Sequence, residues 1–101
     1  MRVYLIKELL HYWFMQGLTA LADPTRKRIV EMLATGAMSS GDIARRFDIS
    51  PPAISQHLKT LRGAKLVRVR AQGQKRIYEL DPDGIGALAD WINQIRSLRA
   101  S

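Results

Sequence analysis

The feature that most constrains this chain is its punctuation. Three times a side chain suited to capping a helix stands directly before proline: Asp23-Pro24, Ser50-Pro51-Pro52 and Asp81-Pro82. An Asp or Ser oxygen accepts from an orphan amide at a helix start. Proline has no N–H to lose there, and its fixed φ suits the first helical position. Ser39-x-x-Asp42 adds a fourth start, a capping box with Asp standing in for Glu. Four such starts in 101 residues dictate short helices joined by tight turns.

The apolar spacing fills in the helices. Pro24–Ala34 turns Ile29, Val30, Met32 and Leu33 to one face, and Gly36 stops it. Ser40–Phe47 is a two-turn helix burying Ile43, Ala44 and Phe47. Pro51–Arg62 carries Ile54, Leu58 and Leu61 at i, i+4 and i+7. The period then changes. Leu66–Arg70 alternates apolar and basic residues as a half-exposed strand does, Ala71–Gln74 is a turn around Gly73, and Lys75–Leu80 is a second strand. A hairpin directly after a helix-turn-helix is the winged-helix arrangement. The expected fold is mainly α with a small β-hairpin, in the order α-α-α-α-β-β-α. It is one domain over 1–101, with a helix-turn-helix at 39–62 and a wing at 66–80.

Two flanking helices have more apolar surface than one small domain can cover. The first, Arg2 to Leu21, is apolar almost all round: Val3, Leu5, Ile6, Leu9, Leu10, Trp13, Phe14, Leu18 and Leu21, with Gly17 a place to bend. The last, Asp83–Leu98, lines up Leu88, Trp91, Ile92, Ile95 and Leu98. Packing within one chain is the competing account. The surplus favours a homodimer through segments 1–21 and 82–99, with Leu9, Trp13, Leu88, Trp91, Ile92 and Ile95 at the interface.

Charge is placed unevenly. The total is 16 Lys plus Arg against 9 Asp plus Glu, a net +7. Between Ala44 and Arg76 lie Arg45, Arg46, Lys59, Arg62, Lys65, Arg68, Arg70, Lys75 and Arg76, against Asp48 alone. Such a block attracts a polyanion, although a solvated basic face with no partner has the same composition. With no cysteine, disulfides, thiol redox switching and thiolate metal sites are excluded. Val3–Met15 is interrupted by Lys7, Glu8 and His11, too short and polar to span a bilayer. No membrane partner is expected. The expected location is the cytoplasm.

The face of Pro51–Arg62 opposite its apolar stripe presents Pro52, Ser55, Gln56 and Lys59, with Arg62 near the end. An α-helix fits the major groove of double-stranded DNA, and Gln pairs with adenine through two hydrogen bonds. Ser donates to a base or a phosphate, Lys59 and Arg62 suit phosphate or guanine, and the small residues let the backbone approach. A helical hairpin with an ordinary polar face is the plain alternative. The hairpin carries Arg70, Gln72, Gln74, Lys75 and Arg76 at its tip, fit to lie over the backbone or reach the minor groove. Basic residues on edge strands also guard against aggregation.

Leu18–Val30, then Asp42-Ile-Ala-Arg-Arg-Phe, then Ser50-Pro-Pro-Ala-Ile-Ser-Gln-His-Leu-Lys-Thr-Leu-Arg, then Leu66-Val and the Gly73…Arg76-Ile-Tyr-Glu-Leu hairpin resemble the ArsR-type (ArsR/SmtB) family of prokaryotic winged-helix repressors. The resemblance covers Leu18–Leu80. It implies a dimer built from the first and last helices, a two-fold symmetric operator and repression by blocking a promoter. It places DNA contacts on Ser50, Pro52, Ser55, Gln56, His57 and Lys59, with a wing arginine near Arg76. The chain departs from the family in three ways. Ser39 and Gly41 stand where metal-sensing members have two cysteines, and neither binds a soft metal. The last helix has Asp83 and Asp90 but no histidine. Pro51 stands where a polar residue, usually Gln, is common.

His11 reads as a partly buried structural residue, and His57 as a DNA contact or a packing residue. No metal or cofactor is expected. No nucleophile–base set, Gly-rich phosphate loop or H-E-x-x-H is present, so an enzyme is not expected. The sequence therefore reads as a sequence-specific transcriptional regulator, most simply a dimeric repressor. A winged helix that binds protein in place of DNA is the alternative, and an RNA binder would need exposed aromatics for stacking. Whether an effector exists, small molecule or protein, stays open.

Overall fold

The computed structural model describes residues 2–100, with side chains placed at 8, 9 and 11–99. The apolar side chains expected at Val3, Leu5, Ile6 and Leu10 therefore lie outside the described set. The elements run α1 (Arg2–Leu21), α2 (Pro24–Leu33), β1 (Met38–Ser39), α3 (Ser40–Ala44), α4 (Pro51–Gly63), β2 (Val67–Gln72), β3 (Lys75–Leu80) and α5 (Pro82–Ala100).

The caps hold as physical chemistry requires. Asp23 accepts from the Arg26 amide, Ser39 from the Asp42 amide and Ser50 from the Ala53 amide. At the fourth start Asp81 accepts from the Asp83 amide at 3.0 Å. The α3 helix is shorter than expected. It ends at Ala44, and the chain tightens there, with the Arg46 amide donating to Ile43 and the Phe47 amide to Ala44. Phe47 still packs against the core, with the Arg28 guanidinium 5.1 Å over its ring.

The hairpin ladder is longer than expected. Gln72 pairs with Lys75, so only Gly73 and Gln74 form the turn, with Gly73 at φ +62. A third strand joins it: Met38 pairs with Tyr78 and Ser39 with Ile77, giving the sheet order β1-β3-β2.

The core gathers around α4. Ile54, Leu58 and Leu61 are buried with Ile29, Leu33, Ile43, Leu66, Val67 and Tyr78. Burying each large side chain contributes about 1.5–3 kcal/mol, so this stripe fixes α4 firmly. Gly17 lies where α1 meets α5. A Cβ there would meet Leu88 at 3.4 Å. Gly84 is needed for a closer approach, because a Cβ would lie 2.1 Å from the Lys65 carbonyl oxygen, whose acceptor role toward the Gly84 amide closes α5 onto the end of α4.

Candidate nucleic-acid interface

With its stripe buried, α4 presents its other face to solvent. Pro52, Ser55, Gln56, Lys59 and Arg62 are all exposed. Ser50 is exposed too, but its hydroxyl oxygen already caps the helix, which leaves only its hydrogen to donate outward. Gln56 keeps its side-chain amide free of any hydrogen bond given for the described residues, while its carbonyl accepts from Thr60. An unspent amide on a rigid helix is the group needed to read a base edge.

His57 is the exception. Its ring is half-buried and turned toward α2, with Nδ1 3.3 Å from Arg26 Nη1 and 4.0 Å from Asp23 Oδ2. Of the two accounts of His57, DNA contact or packing, this geometry favours packing: helical spacing puts it between the buried stripe and the free face, beside Arg26. His11, expected to be partly buried, is exposed.

The wing brings its charges to one end. Gln74, Lys75 and Arg76 are exposed at and beside the turn. Lys75 and Arg76 line a cleft of about 430 Å³ with Gln74, Ser39, Ser40, Gly41 and Arg45. A second cleft runs from Ser40, Gly41 and Arg45 to Pro51 and Ser55. The two share Arg45, so a basic trough leads from the wing tip past α3 to the start of α4. Arg45 was legible only as one charge in the basic block; its place in the trough depends on β1 pinning α3 to the wing. Arg45 pairs with Asp42. Hydrogen bonding by Ser39 and then Arg45, with the charge of Arg45 and more weakly that of Lys75, holds the Asp42 carboxyl below its ordinary value. Arg70 is exposed but committed: it donates to Gln72 Oε1 at 2.8 Å and lies 3.8 Å from Glu79.

On the opposite side, α1 and α5 form an apolar surface. Leu9, Tyr12, Met15 and Leu18 of α1 are exposed, as are Trp91, Ile92, Ile95 and Leu98 of α5, Leu98 at 72%. Two residues expected on this surface point elsewhere. Leu88 is buried beneath Gly17. Trp13 is half-buried, with the Lys65 ammonium 5.8 Å from its ring centre. Leu88 thus belongs to the packing within one chain, and Trp13 packs in part against the turn between α4 and β2.

A family model described as a helix-turn-helix domain matches residues 21–70. The chain is 54% identical over 69 residues to the HTH-type transcriptional regulator Rv2034 of Mycobacterium tuberculosis, covering 68% of this chain and 64% of that protein. It thus spans a little under two thirds of that relative's length. It is 39% identical over 79 residues to the transcriptional repressor SdpR of Bacillus subtilis, covering 74% of this chain and 88% of that one. The chain belongs to the ArsR family of winged helix-turn-helix transcriptional regulators. A crystal structure of the ArsR family transcriptional regulator RHA00566 superposes with a TM-score of 0.78 at 26% identity, over 89% of this chain and 93% of that one. The homodimeric winged helix-turn-helix DNA-binding domain of Mb0332 from Mycobacterium bovis shares the fold, with a TM-score of 0.70 at 22% identity over 94% and 90%.

Within this family the donor set for a metal does not fit here. The Ser39 oxygen is spent on the Asp42 amide, and Gly41 has no side chain. Among the described residues no group of three His, Asp or Glu side chains is placed to hold an ion, and no helix is long and apolar enough to cross a membrane.

Proposed function

We propose that this chain is a homodimeric, sequence-specific repressor that lays α4 in the major groove of a two-fold symmetric operator. The observation that carries the proposal is the division of α4. Ile54, Leu58 and Leu61 are at most 2% exposed, while Ser55, Gln56 and Lys59 on the other face are in solvent. A helix so anchored can hold an amide and a cation against base edges and phosphate without loss of register. Lys75, Arg76 and Arg45 then follow the backbone on the flank, where they contribute sequence-independent affinity.

Segments 1–21 and 82–99 supply the dimer, 39–62 the reading unit and 66–80 the wing. The unpartnered apolar face on α1 and α5 supports this, as does the homodimeric state named for the Mb0332 domain. Repression as the sign of regulation follows the role named for SdpR. The same reading makes the protein a cytoplasmic, non-enzymatic regulator that uses no metal.

The test is a titration of the purified protein against labelled DNA from immediately upstream of its own gene. It is run at two salt concentrations with scrambled DNA as competitor. Tight binding that survives the competitor is expected, with a footprint giving two half-sites about one helical turn apart. Weak binding, equal on scrambled DNA and lost steeply with salt, would reduce the interface to charge alone.

A further inference from the structure

Arg26 stands where three elements meet. Its Nε donates to the Ala20 carbonyl oxygen at 2.8 Å, at the end of α1. Its backbone amide donates to the Asp23 cap at 3.0 Å, at the start of α2. Its Nη1 lies 3.3 Å from His57 Nδ1, on α4. A guanidinium has only donors, so His57 Nδ1 must offer its lone pair. That fixes the neutral ring with its proton on Nε2. Asp23 Oδ2, 4.0 Å from the same nitrogen, is too far to compete for it.

The other forces on α4 are of a different kind. Ile54, Leu58 and Leu61 sit in the core, and apolar burial sets how deep a helix lies with little directional preference. The Arg26–His57 bond is directional and fixes how α4 is rotated about its own axis relative to the end of α1. Rotation is what decides whether Ser55 and Gln56 face the bases. Resting on the functional reading above, we propose that Arg26 and His57 are a positioning pair: they lock the reading helix to the end of the dimer helix, and His57 acts on operator affinity through Arg26, without touching DNA.

The experiment compares wild type, His57→Leu, His57→Gln, Arg26→Gln and the Arg26→Gln/His57→Leu double variant on the operator fragment and on scrambled DNA. Loss of a charge-assisted hydrogen bond should lower operator affinity about tenfold in His57→Leu, with binding to scrambled DNA unchanged. The amide oxygen of His57→Gln can still accept, so this variant should stay within about threefold of wild type. In the Arg26→Gln background, His57→Leu should cost nothing further, since the partner is already gone. Additive losses, or a His57→Gln variant as poor as His57→Leu, overturn the proposal in favour of a direct contact or plain packing.

A measurement without DNA stands beside these. Nitrogen NMR of the free protein at neutral pH should find His57 protonated on Nε2 alone. A proton on Nδ1 overturns the pair even if Arg26→Gln fails to fold. Should wild type prefer no sequence over scrambled DNA, the functional reading fails by that result, and the ring tautomer still decides the contact.

Discussion

Replacing Trp91 with glutamate tests the dimer face at the point where it is most easily quantified. Trp91 is 43% exposed and stacks at a tilt on Phe14, ring centres 5.2 Å apart. A large aromatic side chain offers up to about 250 Å², so each chain leaves about 100 Å² of this one uncovered. At about 25 cal/mol per Å² that is about 2.5 kcal/mol per copy. Two-fold symmetry doubles it, to about 5 kcal/mol per dimer. The dimer dissociation constant should therefore rise more than about a thousandfold, before the cost of burying a carboxylate is added. Within its own chain the same ring buries the remaining area of about 150 Å², about 3.5 kcal/mol, and its stacking on Phe14 adds about 1 kcal/mol, so circular dichroism must show that the variant monomer is still folded. Sedimentation equilibrium reads the dissociation constant directly, and operator affinity should fall with it because one half-site binds weakly. A dissociation constant within about tenfold of wild type would refute the reasoning, since it would mean that this face does not meet a second copy.

Other expectations follow from named contacts. Gln56→Ala should cost about 1–3 kcal/mol on the operator and nothing on scrambled DNA; equal losses in a competition titration would remove Gln56 as a base reader. Gly84→Ala forces a Cβ against the Lys65 carbonyl oxygen, and should lower the denaturant-unfolding free energy by about 3 kcal/mol; an unchanged midpoint would mean that α5 docks elsewhere. Asp23 is held below its ordinary value, first by the Arg26 amide and also by the charge of Arg26. A depressed carboxylate stabilises the fold above its unfolded value, near pH 4, and that stability is lost as pH falls through the folded value. Wild type should therefore lose more stability than Asp23→Asn on acidification below about pH 4, and parallel acid limbs in pH-dependent melts would contradict the assignment.

Local rules made some of this architecture legible, and neighbours decided the rest. Capping chemistry is local: an Asp or Ser at a helix start meets an amide two or three residues on whatever lies elsewhere, so the starts of α2, α3, α4 and α5 could be read directly. The stripe of α4 was equally plain, because Ile54, Leu58 and Leu61 admit one buried face. The strand Met38–Ser39 was not, since two residues carry no alternation and form only because β3 offers an edge. The surroundings of Trp13, Leu88 and His57 were hidden for a related reason. Periodicity says which residues share a face, and it is silent on what packs against that face. Trp13 meets Lys65, Leu88 meets Gly17, and His57 meets Arg26, partners 52, 71 and 31 positions away in the chain.

The distribution of the core also bears on how this regulator can change. Most of the fully buried side chains, Ile29, Ile43, Ile54, Leu58, Leu61, Leu66 and Val67, surround the reading helix, while the outer half of α5 is exposed along its length. On the proposed function, the unit that reads DNA is rigid within one chain, and α1 and α5 rely on a second copy for cover. Substitutions at Ser55 or Gln56 touch no core contact, so they alter which sequence is read without loosening the fold. Substitutions at Ile92 or Ile95 leave the reading face intact and alter how often two such faces are presented together. Because an operator with two half-sites multiplies the affinities of two joined reading helices, the second class lowers occupancy on two-half-site DNA without changing which bases are read. Arg26 stands between the two classes, bonded to the end of α1 on one side and to α4 on the other.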